Sequence, residues 1–150
     1  MTDLMAPGLS LHFDVRIEGV SIATFTGCSG FDAQFEAVEW QEGGDNGTVV
    51  RLPGRLSYSN VLLSRSVDAD SGKLAAWFTR QQRSPARQTV HVRLYNATRG
   101  DSGVIASWTL EGAWPVRYSG PKLSTGADGE AVAVETLELS HQGFVMGGGG

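Results

Sequence analysis

Cysteine is almost missing: Cys28 is the single one in 150 residues, so no disulfide can close within the chain and no cysteine-rich zinc site can form. Stability has to come from packing. Long apolar runs are missing too, since stretches such as Ser59 to Leu63 and Ala131 to Val134 fall far short of the roughly 20 residues that a bilayer-crossing helix needs. No membrane insertion by this chain is expected. Met1 to Gly8 lacks a basic patch followed by an apolar stretch and a small-residue cleavage site, which leaves no visible secretory signal and points to cytoplasmic assembly. Excess positive charge is also lacking, with 12 Lys and Arg against 16 Asp and Glu and a net charge of -4. That balance disfavours tight nucleic-acid binding but suits a surface past which nucleic acid or protein slides without sticking.

What is there reads as strands, within a length that suits one domain. Leu11, Phe13, Val15 and Ile17 alternate with His12, Asp14, Arg16 and Glu18, the pattern of a half-buried strand. A turn at Gly19 leads into a second strand, Ser21 to Thr26, and a hairpin is expected. Ala33 to Trp40 changes phase midway, as a bulge would make it do. Gln41 to Val50 is rich in glycine and polar residues and reads as an extended loop, closed by Leu52, Pro53 and Gly54. Arg55 to Arg65 resumes as a strand whose phase shifts near Asn60. Asp70 or Ser71 is a credible helix N-cap, and Leu74, Trp77, Phe78 and Gln81 recur at helical spacing until Pro85 ends the helix. Strands follow at Gln88 to Tyr95, Val104 to Leu110, Trp114 to Tyr118 and Ala131 to His141, with turns at Gly100 to Gly103 and Ser124 to Gly129. The fold class is therefore mainly β: an antiparallel sandwich or barrel with one flanking α-helix.

Several local signals imitate chemistry. Ser71, Gly72 and Lys73 look like the end of a phosphate-binding loop, but Val67 stands where the upstream glycine is required. Gly27, Cys28, Ser29 and Gly30 look like a nucleophile elbow, but Phe31 takes the second glycine position. His12, His91 and His141 lie on separate strands, and Asp68, Asp70, Asp101 and Asp128 lack the ordered ligands of a calcium loop. Turn and capping roles suffice for them. Asn46 to Thr48 and Asn96 to Thr98 fit a glycosylation pattern that has no meaning without secretion. Trp40, Trp77, Trp108 and Trp114 have no basic groove around them and are expected in packing. No catalytic residue, metal ligand or cofactor site is assigned, and an enzyme is not expected.

One set of ordered motifs points elsewhere. Glu42, Gly43, Gly44, Asp45 and Asn46 resemble a stretch found in tail tube proteins of contractile phages and extracellular injection particles. The likeness continues through Leu52, Pro53, Gly54, Tyr58, Asn60, Val61, Leu63, Arg65, Leu74 and Trp77. It resumes at Ala113, Trp114, Pro115, Gly120 and Pro121 and closes on Glu135 to Leu139, His141 and Gly143. Ser66 departs from it where glycine would follow the arginine. The resemblance spans about residues 11 to 144 and implies a tail-tube-like β-barrel at 11–144, an N-terminal arm at 1–10 and a flexible glycine-rich tail at 145–150. It further implies six-membered rings stacked into a conduit inside a contractile sheath.

A subunit of such a ring is expected to satisfy its sheet edges against neighbours. Glu42, Gly43, Gly44, Asp45, Asn46, Arg51, Leu52, Pro53 and Gly54 are the expected ring-stacking loop, and Thr24, Thr26, Gln34 and Glu36 are candidates for the lumen wall. The implied partners are further copies of the chain, a contractile sheath protein, baseplate, spike and tube-initiator proteins, and cargo protein or DNA in transit. Two other readings remain: a tube-initiator protein of the same particle, and a monomeric β-barrel binding module.

Overall fold

The computed structural model describes residues 11–41, 43, 47–69, 71–96, 103–125 and 131–148. Outside them lie the expected arm at 1–10, Glu42, Gly44, Asp45 and Asn46 of the stacking loop, Asp70, Thr98, the turn at Gly100 to Ser102, most of the Ser124 to Gly129 loop with Asp128, and Gly149 and Gly150.

The strands are β1 (Leu11–Ile17), β2 (Val20–Phe25), β3 (Gly27–Ser29), β4 (Ala33–Gln41), β5 (Val49–Tyr58) and β6 (Val61–Ser66). After the helix α1 (Ser71–Arg83) come β7 (Gln88–Asn96), β8 (Val104–Thr125), β9 (Ala131–Ser140) and β10 (Gly143–Gly148). The β1–β2 hairpin turns at Glu18 and Gly19, both with positive φ, as a two-residue turn matched to strand twist requires.

Hydrogen bonds order the main sheet β2-β1-β7-β8-β9-β6-β3. Its two ends, β2 and β3, are successive parts of the chain on either side of Thr26, whose amide donates to the Ser64 carbonyl at 3.0 Å. The sheet therefore closes on itself as a barrel within one subunit. Beyond that contact, β2 and β3 end the sheet, β10 pairs only with β8, and β4 and β5 pair only with each other, so among the described residues these strands still carry edges open to a neighbour.

Barrel closure follows from alternation. Val15, Ile17, Ala23, Phe25, Val61, Leu63, Val90, Val92, Leu110, Leu137 and Leu139 point inward and are buried together, with Leu74 and Trp77 of α1 in the same cluster. Each fully buried aliphatic side chain of this kind contributes about 1.5–3 kcal/mol before entropy is counted. The helix begins where expected. The Ser71 hydroxyl turns back to accept from the Asp68 amide at 3.0 Å and from Arg65 at 2.9 Å.

Two strands run longer than their sequence suggests. β8 continues through Gly112, Pro115 and Gly120, and register shifts between Pro115 and Arg117 and between Ser119 and Lys122 absorb the interruptions. β9 and β10 lie beside it in one continuous register, Ser140 opposite Trp114 and Gly143 opposite Glu111. Val145 to Gly148, assigned to a tail in the sequence reading, pair with Thr109 to Ala106 as part of β10.

Candidate assembly surface

β3 and β6 pair as the base of a long ribbon, and β4 and β5 carry it on in the same register beyond the barrel. Gly30 marks the pivot. Its φ of +102 suits glycine alone, and an added Cβ would collide with the Asn60 carbonyl oxygen. The root is held firmly. Phe31 stacks on Trp108 with centroids 4.5 Å apart and meets Phe144 edge-on, while Tyr58 packs against His141 and Phe144. Asn60 donates to Glu138 at 2.8 Å, and a ring nitrogen of His141 lies 2.9 Å from the Ser59 carbonyl oxygen.

Beyond this root every residue of β4 is exposed, as are most of β5. Sequence reasoning expected an extended loop from Gln41 to Val50, closed at Leu52 to Gly54. Instead, Val49 to Gly54 form a strand, with Gln41 opposite Val49, Glu39 opposite Arg51, Val38 opposite Leu52 and Ala37 opposite Pro53. The two strands stay paired out to Gln41 and Val49, the end of the arm furthest from its root. The expected bulge is present, but on β5: Gly54 and Arg55 together face Glu36. A Cβ on Gly54 would meet the Glu36 carbonyl oxygen at 2.9 Å and Val38 at 2.7 Å, so the strands approach too closely there for any other residue.

Strand alternation then sorts the arm's side chains. Phe35 and Leu56, a directly opposed pair, lie on one face near the root. Val38 with Leu52 and Trp40 with Val50 lie on the opposite face towards the tip. All six are exposed, Phe35 and Trp40 at 59% each. A two-stranded ribbon cannot bury such residues against itself, and isolated hairpins are marginal in water. The arm therefore offers apolar surface on both faces, near the root on one and near the tip on the other. Val145 and Met146 add an apolar stretch on the β10 edge strand, exposed at 60% and 63%.

Arg51, Leu52, Pro53 and Gly54 of the expected stacking set thus share the arm with Gly43. Of the lumen candidates, Thr24 is half-buried on β2, Thr26 sits at the β2–β3 kink, and Gln34 and Glu36 share one face of β4. The tryptophans divide as well. Trp77 is core and Trp108 stacks at the arm's root, whereas Trp40 and Trp114 are exposed.

A buried polar network that sequence reasoning missed locks the barrel wall. Arg65 on β6 donates to Glu135 on β9 at 2.8 Å, to Asp68 at 2.7 Å and to the Thr24 carbonyl at 3.0 Å. Tyr118 on β8 donates to the other Glu135 oxygen at 2.6 Å. Burial works against the Arg65 charge, but hydrogen bonds and attraction from Glu135 and Asp68 outweigh it and raise its pKa. Burial, then the bond to Glu135, pushes the Tyr118 phenol up to about 12. The network joins four strands to the start of α1. Among the described residues no three His, Cys, Asp or Glu side chains gather as a metal site. Cys28 is half-buried, and burial pushes its thiol up to about 12, the opposite of what a nucleophile needs.

Comparison with known proteins agrees with this geometry. Residues 9–145 match the family model described as T4-like virus tail tube protein gp19. A chain in the cryo-EM structure of the anti-feeding prophage baseplate is 27% identical with a TM-score of 0.69, over 99% of this chain and 98% of that one. A chain of an extracellular contractile injection system, from its PVC sheath-tube complex in the extended state, is 22% identical with a TM-score of 0.71, over 97% and 94%. A type six secretion system protein shares the fold at 14% identity and a TM-score of 0.59, over 91% and 82%. No curated protein sequence matches the chain.

Proposed function

Because this chain belongs to the family of T4-like virus tail tube protein gp19 and is a tail tube protein, we propose that it works by assembling with copies of itself into six-membered rings. These rings stack coaxially into the inner tube of a contractile particle. The observation that carries this reading is the arm, rigidly rooted by Phe31 and Tyr58 yet apolar and exposed on both faces. A monomer has no use for such a ribbon, and exposed apolar surface of this kind marks a contact site. An obligate ring contact would bury about 2,000 Å² or more.

Within this reading, residues 41–54 at the arm's outer half reach the next ring and carry stacking. The tube wall itself performs no catalysis. A contractile sheath surrounds it, and a baseplate with its spike closes one end. Cargo protein or DNA passes through the lumen, past Thr24, Thr26, Gln34 and Glu36 where these face it. Subunits assemble in the cytoplasm before joining the particle. The 27% identity to a chain of a baseplate structure favours a second reading, a tube-initiator copy at the baseplate. Copy number per particle separates the two: hundreds for the tube wall, a few for the initiator.

Deleting Gly43 to Gly47 tests the stacking role. The variant should fold and form isolated rings, seen by electron microscopy, without extending into tubes. Tubes of ordinary length from that variant would contradict it.

A further inference from the structure

The helix α1 ends beside a preformed apolar cavity of about 310 Å³, at the small end of the range that takes a compact ligand, roughly 300–1,000 Å³. Phe78, Pro85, Ala86, Trp114 and Pro115 line it together with Arg87. Its walls are fixed from behind. Gln81 donates to Gln88 at 2.9 Å and accepts from the Ala86 amide at 2.9 Å, the Trp77 indole donates to the same Gln88 oxygen at 3.1 Å, and Phe78 packs on Tyr118. Trp114 remains 40% exposed at the cavity mouth. Solvent-facing apolar walls held this rigidly invite an apolar side chain.

We infer that this cavity receives Trp40 from the arm of a second copy. The inference rests on the tube reading, which supplies that second copy. Apolar lining with room to spare is the first argument, because an indole is the largest apolar side chain exposed on the arm and a cavity of about 310 Å³ accommodates it. Charge is the second. Residues 71–87 carry Lys73, Arg80, Arg83 and Arg87 with no acidic residue, in a chain whose net charge is -4. β4 carries Glu36 and Glu39 with no basic residue. Strand alternation puts Glu36 on the same face as Val38 and Trp40, so an arm that seats Trp40 in the cavity turns a carboxylate towards the surface that carries Arg87. Complementary charge of this kind fixes register and rejects wrong partners. Glu39 lies on the other face, 3.7 Å from Arg51.

The contact is tested on the full chain by disulfide trapping. In a Cys28→Ala background, Glu36→Cys and Arg87→Cys are combined, the protein is assembled, and a mild oxidant is added. A ladder of covalent multimers that collapses on reduction is expected, with each single-cysteine variant running as a monomer. Assembled particles that give no ladder, or a cross-link confined to the monomer, would overturn the contact while leaving the tube reading intact. A Cys28→Ala parent that stays monomeric at every concentration would contradict the tube reading and take this contact with it. Charge exchange supplies a second readout if the cysteine pair assembles poorly. Glu36→Arg and Arg87→Glu should each raise the concentration needed for assembly about tenfold, and the double variant should restore it. Failure to restore would overturn the pairing.

Discussion

Arg65 and Glu135 hold each other at 2.8 Å although seventy residues separate them, with side chains exposed at only 3% and 1%. Neither charge would survive there alone. Each is desolvated, and each is compensated by the other together with Asp68, Thr24 and Tyr118. The pair clamps β6 to β9 at the point where the barrel closes, so its loss should be felt by the whole fold.

Replacing Glu135 by Ala strands the arginine charge in the barrel wall. A loss of about 3–5 kcal/mol is expected, as for other buried pairs broken on one side, read as a lowered urea midpoint. Exchange of both residues for apolar ones, Arg65→Met with Glu135→Leu, should cost much less. A single Glu135→Ala variant within about 1 kcal/mol of the parent would show that water reaches the site.

The pivot glycine allows a separate test. Gly30→Ala forces a side chain into the Asn60 carbonyl at a positive φ and should destabilise by more than the usual cost of a surface change, about 0.5 kcal/mol. Gly54→Val should act differently, because its neighbours Glu36 and Val38 belong to the arm. The barrel's thermal midpoint should stay within about 2 °C of the parent, no more than about 1 kcal/mol produces in a domain this size, while assembly fails. Equal loss of midpoint in both variants would mean that arm and barrel unfold as one unit.

Alkaline pH has a defined sign. The folded chain holds the Cys28 and Tyr118 protons up to about 12, against ordinary values of 9.0 and 10.0. The unfolded chain therefore binds fewer protons above about pH 9, and stability falls as pH rises from there towards 12. Below pH 9 this contribution is fully present. Urea midpoints at pH 8 and pH 10.5 should differ, and Cys28→Ala should remove part of the difference. A midpoint that does not move between those pH values would contradict the half-buried placement of both groups.

Much of the barrel was legible because one face of each strand meets a core. Leu11 to Ile17 and Gln88 to Tyr95 alternate for that reason, and Leu74, Trp77 and Gln81 mark the buried side of α1. The arm was legible only in part. β4 could be read from its strand formers Phe35, Val38 and Trp40, but Val49 to Gly54 follow a glycine-rich stretch and end on Pro53 and Gly54, which made them look like loop. The length of β8 was hidden by Gly112, Pro115 and Gly120, which ordinarily interrupt a strand and are here taken up by bulges. The Arg65–Glu135 pair left no local trace, since nothing near either residue records a partner seventy positions away. Trp40 and Trp114 were misplaced in packing for a related reason: an exposed indole has the same composition signal as one in a core.

The arm's apolar faces predict how assembly fails. Trp40→Ser with Val50→Ser should leave the barrel's unfolding unchanged, because neither residue touches the core, and should abolish tube growth. Phe35→Ser with Leu56→Ser should do the same from the opposite face. A variant pair that assembles like the parent would remove that face from the interface.

The most direct measurement is the sedimentation of the purified, full-length protein across a hundredfold range of concentration, with electron microscopy of the same samples. Subunits that convert to rings and then to hollow tubes as concentration rises are predicted. A species that stays monomeric across the whole range, arm exposed and unpaired, would contradict the account.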